Sequence, residues 1–150
     1  MNPFHRIHLG DAWEPPGLSG AREPSGGSCP GWTRRFGRPG GLGAGDRVWL
    51  VIERPGRAAL TLNAVPLPSV ADGMPRWSHE ITSLLADRNL LLLEPLGGPP
   101  PAGDVDRHGR CPLPAECGRV VLEIVAAPDA PDPPPRGSTP PASGTADRRV

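Results

Sequence analysis

The sequence predicts an all-β fold, an antiparallel sandwich or barrel. Three observations carry this. Short segments alternate apolar and polar residues at period two, Gly and Pro signals separate them, and no long helix is visible. No internal repeat is present.

Phe4–Leu9 reads as a first strand with Ile7 and Leu9 on one face. Residues 15–31 form a loop rich in Pro, Gly and Ser. In Trp32–Phe36, Trp32, Arg34 and Phe36 alternate with Thr33 and Arg35, the pattern of a half-buried strand. Asp46–Glu53 is the clearest strand. Val48, Leu50 and Ile52 face one way and Trp49 and Val51 the other, so it is expected to be central and covered on both sides. The 15–31 or 97–118 loop is the expected cover over Trp49. Arg54-Pro55-Gly56 is a turn signal, and Ala58–Asn63 follows as the expected hairpin partner of Asp46–Glu53. Residues 66–75 read as loop, and Trp77–Ile81 as another strand. Thr82 is placed to cap a single helical turn over Ser83–Leu85. Asn89–Glu94 is an almost wholly apolar strand, 97–118 a long Pro/Gly loop, and Arg119–Val125 the last strand. Residues 128–150 are too poor in apolar groups to offset their ordering entropy and read as a disordered tail. The expected organisation is therefore one domain, residues 1–127, with a Pro-rich tail.

Composition narrows the function classes. The chain has 150 residues with 20 Gly and 23 Pro, so an ordered core of moderate size is interleaved with turn-forming segments. Sixteen basic residues, all Arg, balance sixteen acidic ones. That balance argues against nucleic acid or an acidic membrane as a partner drawn by bulk charge. Cys29, Cys111 and Cys117 are an odd set with spacing unsuited to zinc, which favours free thiols in a reducing compartment. The polar stretch Met1–Asp11 does not read as a signal peptide, and no run approaches the roughly 20 apolar residues of a membrane span. The expected address is cytoplasmic.

The order of segments is itself informative. Trp32-Thr-Arg-Arg-Phe36 precedes Arg47-Val-Trp-Leu-Val-Ile52. Leu60-Thr-Leu-Asn63 follows with Pro66-Leu67, then Glu80-Ile-Thr-Ser-Leu-Leu85 and Asn89-Leu-Leu-Leu-Leu93. This resembles the galactose-binding-like jelly roll that forms the sugar-binding module of glycoside hydrolase family 2 enzymes. In that family one strand ends in an Asn-Gly turn, here Asn63-Ala64. An Asp-Ile/Val-Thr-x-Leu-Leu stretch, here beginning at Glu80, leads into an Asn-x-Leu strand. The resemblance spans about residues 32–93 and includes no counterpart of the hydrolases' catalytic barrel. It implies a jelly-roll β-sandwich and a non-catalytic, carbohydrate-binding module. Ala64 lacks the freedom of glycine at positive φ, so the turn there is expected to differ.

The residues themselves give no catalytic set. Glu53, Glu80, Glu94 and Glu123 are not paired by spacing as a glycosidase needs, and no Gly-x-Ser-x-Gly elbow or Cys–His arrangement occurs. Asp104-Val-Asp106-Arg-His108-Gly109 faintly echoes a calcium loop, but Ala115 stands where the closing Glu belongs, so no metal or other cofactor is expected. Sugar recognition pairs an aromatic platform with polar groups. Of Trp13, Trp32 and Trp77, Trp77 follows a loop and is the aromatic expected to be exposed, with His79, Asn63 and Arg34 as polar candidates. Trp32 and Trp49 read as core-forming or face-covering residues. Asn63 also suits a turn role, and Arg34 and Arg35 suit a solvated face or pairing with strand carboxylates. The alternative function is a structural or protein-interaction scaffold. It would use an open sheet edge or the proline run at Pro131–Arg136.

Overall fold

The computed structural model describes residues 4–16, 31–97 and 103–127. Cys29, the bulk of the 15–31 loop, part of the 97–118 loop and the 128–150 tail lie outside the described residues.

Eight strands form: β1 (Phe4–His8), β2 (Trp32–Gly37), β3 (Arg47–Glu53), β4 (Ala58–Leu62), β5 (Val65–Pro66), β6 (Arg76–Glu80), β7 (Arg88–Pro95) and β8 (Arg119–Val125). Two short 3-10 turns lie at Thr82–Leu84 and Ala115–Cys117. The strands make two antiparallel four-stranded sheets, in the orders β1-β8-β3-β6 and β2-β7-β4-β5. The all-β expectation holds, and β3 is central, between β8 and β6.

The expected hairpin of β3 with β4 does not form. The two strands belong to different sheets, and β4 pairs with β7 and β5 instead. The four residues between them, with Pro55 second, are not one of the two-residue turns that close a hairpin. Arg54 closes the β3–β6 ladder, its N–H bonding Pro75 O at 3.0 Å, and at φ 50 it turns the chain out of that sheet. A Cβ on Gly56 would lie 2.5 Å from Glu116 O, so only glycine lets this crossing rest against the second 3-10 turn.

The inner faces meet in one core. Val48, Leu50, Ile52, Trp77, Val120 and Leu122 come from the first sheet, and Trp32, Leu60, Leu62, Leu91 and Leu93 from the second. Trp13 is fully buried, and its indole N–H donates to Leu9 O. Its backbone bonds Cys111 in both directions at 2.9 Å, while Glu14 bonds Thr33 at 2.8 and 3.0 Å, covering the free side of β2 there. Truncating an aromatic of this kind in a core typically costs about 3–5 kcal/mol.

The outer face of the first sheet is also partly dry, since Val51 and Val121 are fully buried outside the main core. They stand side by side in the register. Arg6 on β1 reaches across β8 to Glu53 on β3, and Arg76 on β6 reaches across β3 to Glu123 on β8 at 2.6 Å. In that register the first link passes over Val121 and the second over Val51. The arginine stems supply apolar cover while their heads stay paired in water.

Candidate binding cleft

The four residues singled out for ligand binding are not brought together. Trp77 is corrected outright: it is 6% exposed and belongs to the core, so it offers no stacking platform. The reason is strand parity. Ile52 opposes Trp77 and both point inward, which the loop before β6 does not alter. His79 shares that face, with its ring 6.2 Å from the Trp77 ring. Arg34 lies on the other sheet, half-buried. It donates to Arg35 O, while its Nε has no hydrogen-bond partner. Burial first, then the charge of Arg110, lowers its pKa, and Asp11 offsets part of this. Among the described residues no carboxylate pairs with Arg34, whereas Arg35 Nε lies 3.9 Å from Glu14 Oε1.

Asn63 holds a structural post. It occupies the β4–β5 turn at φ 50, and Ala64 follows at φ 64. The turn therefore keeps the left-handed geometry of an Asn-Gly hairpin, against the expectation that Ala64 would change it. The pairing of Leu62 with Val65 holds it closed. Asn63 Oδ1 accepts the Leu90 N–H at 2.9 Å, and its amide donates to Leu84 O at 3.0 Å and Asn89 Oδ1 at 2.9 Å. Asn89, 3% exposed, also accepts the Ala86 N–H at 2.8 Å and donates to Ala86 O at 2.9 Å. Thr82 is not the expected cap. Its hydroxyl instead accepts the Val48 N–H at 2.9 Å and ties the 3-10 turn to β3.

This network forms the wall of a cleft of about 600 Å³ between the end of β2, the start of β7 and the β4–β5 turn. Arg35, Asp87 and Arg88 are exposed around it, and half-buried Phe36 gives it an aromatic side. Guanidinium donors, one carboxylate and an aromatic edge suit a polar ligand rich in hydroxyl groups. A lone carboxylate does not supply an acid–base pair. The cleft residues the sequence reading missed are Phe36, Asp87 and Arg88. The run Asp87-Arg88-Asn89 beside a strand start was the available signal.

The calcium-loop echo resolves into a tight turn. Asp106 Oδ1 accepts the N–H of His108 at 2.8 Å and of Arg110 at 2.9 Å, which hold its carboxyl below the usual range. No group of three or more potential metal ligands occurs among the described residues. Cys111 and Cys117 are free and buried; desolvation raises both thiols, and with Glu116 it pushes Cys117 to about 11. Neither is an activated nucleophile.

No protein-family model and no curated protein matches the chain. Solved structures do. One is a β-glucuronidase of Bifidobacterium dentium complexed with coumarin-3-O-glucuronide, 20% identical at TM-score 0.50, covering 83% of this chain and 30% of that one. Another is an FMN-binding β-glucuronidase of Faecalibacterium prausnitzii L2-6, 17% identical at TM-score 0.54, covering 82% of this chain and 23% of that one. The chain thus spans less than a third of either enzyme. At these identities the likeness is one of fold: this β-sandwich is similar to one part of glycoside hydrolase chains.

Proposed function

We propose that this chain is a non-catalytic binding module of jelly-roll type that recognises carbohydrate in the cleft bounded by Arg35, Phe36, Asp87 and Arg88. The observation that carries the reading is the match of its sandwich to one part of two sugar-hydrolysing enzymes. The strand order supports the jelly roll: it is that of a two-sheet fold in which each sheet alternates early and late strands. The sandwich is read as one domain over residues 1–127. In the cleft, Arg35 and Arg88 donate to ring hydroxyls or a sugar carboxylate, Asp87 accepts, and Phe36 packs on an apolar ring face. Asn63 and Asn89 shape the wall and do not contact ligand through their bonded amides. No helix of the described residues is long and apolar enough to cross a membrane. The two free thiols fit a reducing, cytoplasmic setting.

The test is calorimetric titration of the intact protein with a panel of neutral hexosides and hexuronides. At least one class is expected to bind, and Arg88→Ala with Asp87→Ala to lose that binding while the unfolding transition stays in place. A heatless panel from folded protein overturns the reading in favour of a scaffold without a small ligand.

A further inference from the structure

We propose that β6 is a self-association edge, along which two copies of this chain pair antiparallel, centred on Ser78, to join their first sheets into one continuous sheet. β6 borders β3 and no other strand among the described residues. The phase of its hydrogen bonds is fixed at both ends, because Ile81 N–H bonds Val48 O at 2.9 Å and Arg54 N–H bonds Pro75 O at 3.0 Å. Alternation then turns the backbone groups of Trp77 and His79 toward β3, and those of Arg76, Ser78 and Glu80 outward. No backbone partner for these three outward residues occurs among the described residues.

The segment Arg76-Trp-Ser-His-Glu80 is complementary to itself in charge. Reversed about Ser78, it sets Arg76 opposite Glu80 of the second copy at both ends and Ser78 opposite Ser78. Each facing pair has its N–H and C=O already directed across the gap, so each is of the kind that exchanges two hydrogen bonds. This is the isologous geometry of a two-fold dimer. Within each copy Arg76 lies 2.6 Å from Glu123 and Glu80 lies 3.0 Å from Arg47. Pairing therefore extends one row of alternating charge, Glu123, Arg76, Glu80, Arg47, across the junction.

The other edges do not share these properties. A copy of β1 centred in the same way would set Arg6 against Arg6. β2 is bonded at Thr33 by Glu14. β5 has two residues, one of them Pro66, which lacks an N–H.

The experiment is sedimentation velocity over a concentration series on the full chain. Wild type is expected to shift to dimer as concentration rises. Ser78→Pro, which removes an outward N–H that the fold does not use, is expected to remain monomeric. Arg76→Glu and Glu80→Arg set like charges face to face and are each expected to lose the dimer, whereas an equimolar mixture of the two regains it as a heterodimer. A wild type that stays monomeric at its highest soluble concentration overturns the proposal, and so does a mixture that fails to associate.

Discussion

Two polar clusters hold this sandwich, and they differ in what water can reach. Around Asn63 and Asn89, two amides at the cleft wall bond to each other and to the backbone of Leu84, Ala86 and Leu90. On the outer face of the first sheet, Arg6, Glu53, Glu123 and Arg76 cross over two valines in partial contact with solvent. At the centre of the first cluster Asn89, 3% exposed, has few alternatives to its bonds, because a buried amide that loses a partner cannot recruit water. The second exchanges each ion pair for hydration at little net change. Bond for bond the two clusters therefore carry unequal stability, and the ion pairs matter more for the apolar stems they lay down than for their charges.

The sharpest break of this comparison is Asn89→Ala. It leaves the Ala86 N–H and one N–H of the Asn63 amide without an acceptor inside the fold, while the other keeps Leu84 O. The expected loss is about 1–3 kcal/mol, combining the lost hydrogen bonds of a buried side chain with the vacated volume. Urea unfolding measures it at constant m-value. A loss under about 1 kcal/mol would mean water enters the site, and the contrast between the clusters would collapse.

The ion-pair face is expected to respond less, and to titrate. Arg6→Ala removes stem and charge together, Arg6→Met only charge. The alanine variant is therefore predicted to unfold at lower urea than the methionine variant. Glu53 is held below the usual carboxylate range by its bond from Arg6, and Asp46 by the N–H groups of Gly43 and Ala127. Such groups stabilise the fold at pH above their ordinary values. That contribution is lost as pH falls below about 4 toward the folded values. The stability gap between wild type and Arg6→Met should accordingly close in acid, while the Asn89→Ala gap stays constant because no amide titrates. Equal gaps for Arg6→Met at pH 7 and pH 3.5 would show that the charge contributes nothing.

The clusters also mark the reach of the sequence. Alternation exposed β2, β4 and β8, since period two is set by the backbone; β7 showed as an apolar run, and the doubly apolar β3 correctly read as central. Sheet membership was hidden, because the β3–β4 turn looks local while its Gly56 is fitted to Glu116 some 60 residues away. The Arg6–Glu53 and Arg76–Glu123 links each join residues 47 apart, and only the register brings them together. Trp77 was misread for a related reason. A preceding loop says nothing about which face the second residue of a strand takes. The cleft was half legible: Asn63 stood out as a turn residue, but Phe36, Asp87 and Arg88 come from distant segments that meet only after folding.

The smallest expected effect lies at the tip of the amide cluster. Ala64 sits at φ 64, where a Cβ is crowded by its own backbone. Holding a non-glycine residue there costs roughly 1–2 kcal/mol. Ala64→Gly relieves that strain but frees the unfolded chain, which returns about 0.4–1 kcal/mol in the opposite direction. The expected net gain is about 0.5–1 kcal/mol, seen as a higher urea midpoint at unchanged m-value. Ala59→Gly supplies the control, since Ala59 lies within β4 at ordinary φ and the same exchange there can only lose stability. If both substitutions destabilise alike, the turn is not strained, and the Asn63 amide bonds rather than the local backbone set its shape.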